Sequence, residues 1–184
     1  MTGRAATPSQ TVGPFFRFAM AWMNAQKLVP DGSTGAVSVI GRIVDGAGDP
    51  VPDALVEIWQ ADAIGRFPPE TPPGWTGFGR CLVDTEGVFE FTTVKPGPLA
   101  GRPGGASQAP HIDVSVFARG LLQRLVTRVY FPDEAAANAG DPVLMSIDDA
   151  GLRSRLVARP DPDGGRLRFD VHLQGDAETP FFVY

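Results

Sequence analysis

The chain has 184 residues, 43% hydrophobic and 20% charged, the proportions of a globular protein long enough for one domain with a sizeable core. Its 16 basic and 21 acidic residues give a net charge of −5 with no basic stripe, which argues against nucleic acid as a partner. No apolar run nears the roughly 20 residues that cross a bilayer, and the first residues lack a signal-peptide pattern. One cysteine, Cys81, permits no internal disulfide, so a cytoplasmic protein with a buried, inert thiol is expected.

Residues 1–16 show no helical or strand period and form an extended arm rich in Pro and Phe. From Phe18 to Leu28 the apolar set Phe18, Ala21, Trp22, Ala25 and Leu28 predicts a helix that Pro30-Asp31-Gly32 stops. An all-β body follows, punctuated by 22 glycines and 18 prolines. Val37–Val44 and Ala54–Gln60 are strands joined through Asp45-Gly46-Ala47-Gly48-Asp49-Pro50, a connection with the turn residues a hairpin needs. Phe78–Val83 and Val88–Val94 flank Asp84-Thr85-Glu86-Gly87 in a second hairpin. His111–Phe117 alternates, with Ile112, Val114 and Val116 on one face and His111, Asp113 and Ser115 on the other. Gln123–Phe131 is a further strand, on which Arg124 and Arg128 read as surface or interface charges. Asp133–Ala139 and Asp148–Ala158 predict short helices. Arg166–Gln174 alternates again, burying Leu167, Phe169, Val171 and Leu173 and turning Arg166, Arg168, Asp170 and His172 outward. Trp59, on an alternating strand, is expected in the core. Strands at this spacing predict a β-sandwich with a few short peripheral helices. Gly101–Ala109 reads as a loop within a single domain spanning 1–184.

Only two histidines and two tyrosines exist, so any metal site can be enumerated. His111 and Asp113 share a strand face, and with His172 they spell H-x-D…H, the form of a two-His, one-carboxylate iron(II) site. The pattern occupies few positions, and no basic residue follows His172. Its alternative is a polar strand face with a hydrogen-bonded His111.

Several motifs recur in one order along the chain: GRIVDGAGDPVPDALVEIWQAD from Gly41, GFGR at Gly77–Arg80, KPGP at Lys95–Pro98, APHI at Ala109–Ile112 and RVYF at Arg128–Phe131. Together they resemble the intradiol ring-cleaving dioxygenases from Thr7 onward. The resemblance implies a β-sandwich and insertion of O2 between the two hydroxylated carbons of a catechol, at an iron(III) held by two Tyr and two His. The matching positions depart from that ligand set. Leu99 stands where a tyrosine follows KPGP, and His111-Ile112-Asp113 replaces His-Ile-His. The interval Ala63–Gly77 holds Phe67 and Trp75 but no tyrosine, while Tyr130 and Tyr184 lie in other motifs. Leu99, His111 and Asp113 are thus degenerate ligand positions, and no metal or catalytic residue is expected on this chain.

One branch of the family combines two homologous subunits, of which only beta carries iron. Its alpha subunit opens with T-P-S-Q-T-x-G-P-aromatic, which Thr7–Phe15 matches position by position; APHIDVSVFARGLL and Phe181-Phe182 also resemble alpha. The resemblance implies that Fe(III) in the holoenzyme is bound by the homologous beta subunit, in a higher (alpha-beta)n assembly. The arm would reach that partner's site and line it with Thr11, Gly13, Pro14 and Phe15. Arg119 would contact the carboxylate of a small aromatic substrate, protocatechuate (3,4-dihydroxybenzoate), or hold the interface. Gly13 admits close backbone approach, Pro14 fixes φ, and Phe15 offers a stacking face. Two rival readings stand beside this: a non-enzymatic transthyretin-like binding module, built on the same hairpin pattern, and the iron(II) oxygenase at His111, Asp113 and His172.

Overall fold

Two antiparallel-rich sheets face one another across the core. The computed structural model describes residues 6–21, 25–101 and 105–183. The first sheet has the order β4 (Val88–Val94), β1 (Ala36–Val44), β8 (Arg166–Arg168), β7 (Arg159–Pro160), with β9 (Val171–His172) also pairing β1. The second has the order β3 (Phe78–Leu82), β2 (Leu55–Trp59), β5 (His111–Phe117), β6 (Leu125–Tyr130). Short helices α1 (Phe16–Met20), α2 (Ala135–Gly140) and α3 (Ala150–Ser154) lie outside the sheets. This is the expected β-sandwich. Among the described residues no helix is long and apolar enough to cross a membrane.

Period-two alternation converts directly into the core. Val39, Ile43, Phe89, Phe91, Phe169 and Val171 from one sheet meet Val56, Ile58, Ile112, Val114, Val116 and Val129 from the other, all buried. Cys81 is buried among them, its Sγ 2.9 Å from Gln26 Nε2, and burial raises its thiol pKa. It is the inert thiol expected.

The expected strand Arg166–Gln174 is broken in the middle. At Gly41 a Cβ would sit 1.8 Å from the Phe169 carbonyl oxygen, so only glycine lets the two chains close. One step on, the Arg42 amide donates to Asp170 Oδ1 at 3.1 Å. A side chain thus takes the place of a ladder carbonyl, and β8 ends before β9 begins.

The expected helix over Phe18–Leu28 is also shorter than its periodicity suggests. α1 stops at Met20, and Trp22 lies outside the described residues, as do 102–104 of the expected loop, 1–5 of the arm and Tyr184. Ala25 bridges Arg80 at the edge of β3, and Lys27 bridges Thr92 at the edge of β4. Leu28 N–H donates to Thr92 O at 2.8 Å. This segment staples together one edge strand from each sheet, satisfying groups that would otherwise be open. That tertiary gain outweighs a weak helical period.

Candidate functional site

Strand β5 carries a candidate site at each end. At its start lie the degenerate ligand positions. Leu99 and Gln108 exchange backbone hydrogen bonds of 3.0 and 2.9 Å, which brings the KPGP-Leu segment beside β5. Registry sets Asp113 between Trp59 on β2 and Arg128 on β6. Arg128 Nε donates to Asp113 Oδ1 at 2.8 Å and Nη1 donates to Gln108 Oε1 at 2.7 Å. Arg128, read from sequence as a surface or interface charge, is only 8% exposed. The reason is registry: a hairpin folded about Gly120–Leu121 puts it opposite a carboxylate. Counting outward from that turn finds the pair in the sequence.

His111 is buried, with Nδ1 2.7 Å from the Ala109 carbonyl and Nε2 4.0 Å from Asp113 Oδ1. Burial first, then the Arg128 charge, lowers its pKa. Its ring packs at 5.7 Å on Tyr130, whose phenol donates to Asp141 Oδ1 at 3.1 Å and is held protonated by burial, which raises its pKa. Asp141 also accepts the Ala109, Val143 and Leu144 amides, so Tyr130 is tied into a loop-capping cluster. Phe67, from the interval lacking a tyrosine, stacks on Trp59 with centroids 5.6 Å apart. Trp59, expected in the core, is 42% exposed because it ends β2 on the face turned from the core, where that ring stacks on it.

These residues do not fit an iron(III) site. Leu99 and Phe67 have no donor atom, the Tyr130 phenol is committed to Asp141, and Asp113 already neutralises a guanidinium that would repel a cation. The iron(II) alternative fares no better. His111 and Asp113 belong to one sheet and His172 to the other, and no cluster of three metal-ligating side chains exists among the described residues.

At the far end of β5, roughly 20 Å away at about 3.3 Å per residue, the arm returns to the chain. Thr11 Oγ1 accepts the Gly120 amide at 2.7 Å. Gly120 adopts φ +89°, a turn conformation that leaves the amide pointing at the arm. Arg17 reaches the Pro52 carbonyl and, at 3.0 Å, the Val83 carbonyl, while Phe16 packs on Phe117 with centroids 5.7 Å apart. Arg119 Nε donates to Asp53 Oδ2 at 2.6 Å, and its backbone amide to the same oxygen at 3.2 Å. The outcome is a concavity of about 220 Å3 lined by Val12, Gly13, Pro14, Phe16, Asp53 and Arg119, among others.

The structure thus brings Gly13, Pro14 and Arg119 together, with Thr11 holding the arm to the turn. Phe15 points away, 78% exposed, and Phe18 beside it is 73% exposed. A Cβ at Gly13 would meet nothing within 4 Å, so no contact among the described residues explains a glycine there. Asp53 is the residue sequence reasoning missed. It sits just before β2, in a connection that crosses from β1 in one sheet to β2 in the other rather than closing the expected hairpin (β3 and β4 likewise lie in different sheets), and it orients Arg119. The Arg119 Nη nitrogens have no partner among the described residues, leaving a planar pair of donors suited to a carboxylate.

A family model described as Dioxygenase matches residues 12–175. The chain belongs to the intradiol dioxygenase family. Within that family it is 42% identical to the protocatechuate 3,4-dioxygenase alpha chain of Burkholderia cepacia, with 99% of each chain covered. The beta chain from the same organism is 38% identical, covering 78% of this chain and 66% of the beta chain. Among solved structures, the dioxygenase domain of a dioxygenase–carbohydrate-binding protein fusion from Streptomyces sp. SirexAA-E superposes with a TM-score of 0.58 at 26% identity, covering 93% of this chain and 99% of that one. The chain is therefore an intradiol dioxygenase subunit, and the binding-module and iron(II) readings fall away.

Proposed function

We propose that this chain is the iron-free alpha subunit of a protocatechuate 3,4-dioxygenase. In the assembled enzyme O2 cleaves 3,4-dihydroxybenzoate between its hydroxylated carbons to give 3-carboxy-cis,cis-muconate. The Fe(III) belongs to the homologous beta subunit, and alpha-beta units combine into a higher assembly in the cytoplasm. Residues 1–16 form an arm from a single domain, and Thr11, Gly13, Pro14 and Phe15 present it to the partner's active site. The observation that carries this reading is the convergence of Gly13, Pro14 and the Arg119 guanidinium on one concavity, beside two exposed phenylalanines.

Each residue has a physical task there. Gly13, with open space where a Cβ would be, lets backbone lie against a planar ring. Pro14 limits the conformations the arm must surrender on docking. Phe15 offers its exposed face to the partner or the substrate ring. Arg119, steadied through Nε by Asp53, directs its remaining nitrogens at the substrate carboxylate. The support for a beta partner is twofold: an alpha-chain relative matched end to end, and a homologous beta chain from the same organism.

The test compares the chain purified alone with the chain co-expressed with a beta subunit, assaying iron and 3,4-dihydroxybenzoate-dependent O2 uptake. Iron and activity are expected in the complex only. Stoichiometric iron with activity in the chain alone would overturn the proposal.

A further inference from the structure

A cavity of about 420 Å3 opens between α3, strands β7 to β9 and the C-terminal segment, with Val157, the bridge partner of Tyr130, in its lining. That volume is ample for a small metabolite. Its lining is charged, with the cations Arg155, Arg159 and Arg168 and the carboxylates Asp170 and Asp176 beside His172.

Registry places Arg159 directly opposite Arg168 across the β7–β8 ladder. Like charges in that position repel. Asp170 relieves the repulsion, since its Oδ2 accepts from Arg168 Nε at 2.9 Å and from Arg159 Nη2 at 3.3 Å, while its Oδ1 takes the Arg42 amide. One carboxylate therefore serves two guanidiniums and a backbone amide and has little left to offer. Arg155 spends Nη1 on the Glu178 carbonyl at 2.9 Å. Each of the three guanidiniums has committed one nitrogen, and the others find no partner among the described residues. Asp176 is the remaining acid of the lining, exposed on a turn and bonded to none of the three. Three planar donor groups in one cavity outnumber its two carboxylates, Asp170 shared between two of them and Asp176 exposed, and form a receptor for an oxyanion.

We propose that this cavity is a binding site for a small oxyanion of the carboxylate or phosphate type, separate from ring cleavage. The test is isothermal titration calorimetry on the assembled enzyme in a low-salt buffer, with inorganic phosphate in one arm and citrate in the other. Saturable binding of either anion, one per copy of this chain and with Kd below about 1 mM, is expected. Preference for phosphate identifies a phosphorylated ligand class, and preference for citrate a polycarboxylate. Arg159→Ala and Arg155→Ala, both at surface-accessible side chains, should each weaken binding at least tenfold while leaving ring-cleavage activity unchanged. The proposal is overturned if neither anion binds, or if both variants bind as the unaltered enzyme does. It is equally overturned if the variants lose assembly with the beta subunit and neither anion binds, since the occupant is then protein.

Discussion

The two ends of β5 began from comparable polar residues and finish in opposite states. At the His111 end each charged or polar group finds its partner inside the chain: Arg128 with Asp113 and Gln108, Tyr130 with Asp141, His111 with the Ala109 carbonyl. At the Arg119 end the groups are positioned but unspent. Arg119 uses one nitrogen on Asp53, Phe15 and Phe18 stand in solvent, and Gly13 faces open space. Internal satisfaction makes the polar groups of the first end part of the structure itself. The unspent groups, on a segment anchored by Thr11 and Arg17, form the surface that we propose meets the partner.

The sharpest way to break this comparison is at Arg128. Arg128→Ala leaves Asp113 and Gln108 without their partner in a mostly buried setting, and should cost about 3 kcal/mol of unfolding free energy, read from urea denaturation of the chain. Ring-cleavage turnover of whatever complex assembles should stay unchanged. A loss under about 1 kcal/mol would mean the His111 end is not held by this pair. Deleting residues 1–15 should do the reverse. Stability should shift little, because Phe16 and Arg17 remain, whereas kcat/KM of the complex should fall roughly 100-fold through lost positioning. Full activity without the arm would remove the functional half of the contrast.

How far each end could be read from sequence follows from the same physics. Val88–Val94 and His111–Phe117 were legible to the residue because a half-buried strand writes its faces as a period of two. The arm and Arg119 were legible through linear motifs. Asp53 was not, since its contact with Arg119 spans 66 positions. Trp59 misled because alternation says which face a residue shares, not whether another layer covers that face at the strand's end. The Phe18–Leu28 helix failed for a tertiary reason: the edge strands β3 and β4 claim Ala25, Lys27 and Leu28. Arg128 required pairing two strands before its burial was visible.

A smaller effect separates orientation from charge at the open end. Arg119→Ala should raise KM for 3,4-dihydroxybenzoate roughly tenfold with stability changed by less than about 1 kcal/mol, as for exposed ion pairs generally. Asp53→Asn keeps the guanidinium but weakens its steadying bond, so its KM should fall between the two. Equal KM for all three proteins would leave Arg119 with an interface role only.

The smallest effect lies in pH, at the closed end. Burial and the Arg128 charge hold the His111 pKa below that of an unfolded histidine, whereas the Ala109 carbonyl and the Asp113 and Asp141 carboxylates pull it upward and lose. Between the two values the unfolded chain binds the proton and the folded chain does not, so stability rises with pH in that window. The contribution is complete above an unfolded pKa near 6.5 and is lost as pH falls from there toward the lower folded value. His111→Gln should flatten that part of the stability profile. Arg128→Ala should flatten it partly, since burial remains after the charge is gone. An unchanged slope in His111→Gln would show that another group titrates there, and the closed end of β5 would then owe its stability to packing and the Arg128 pair alone.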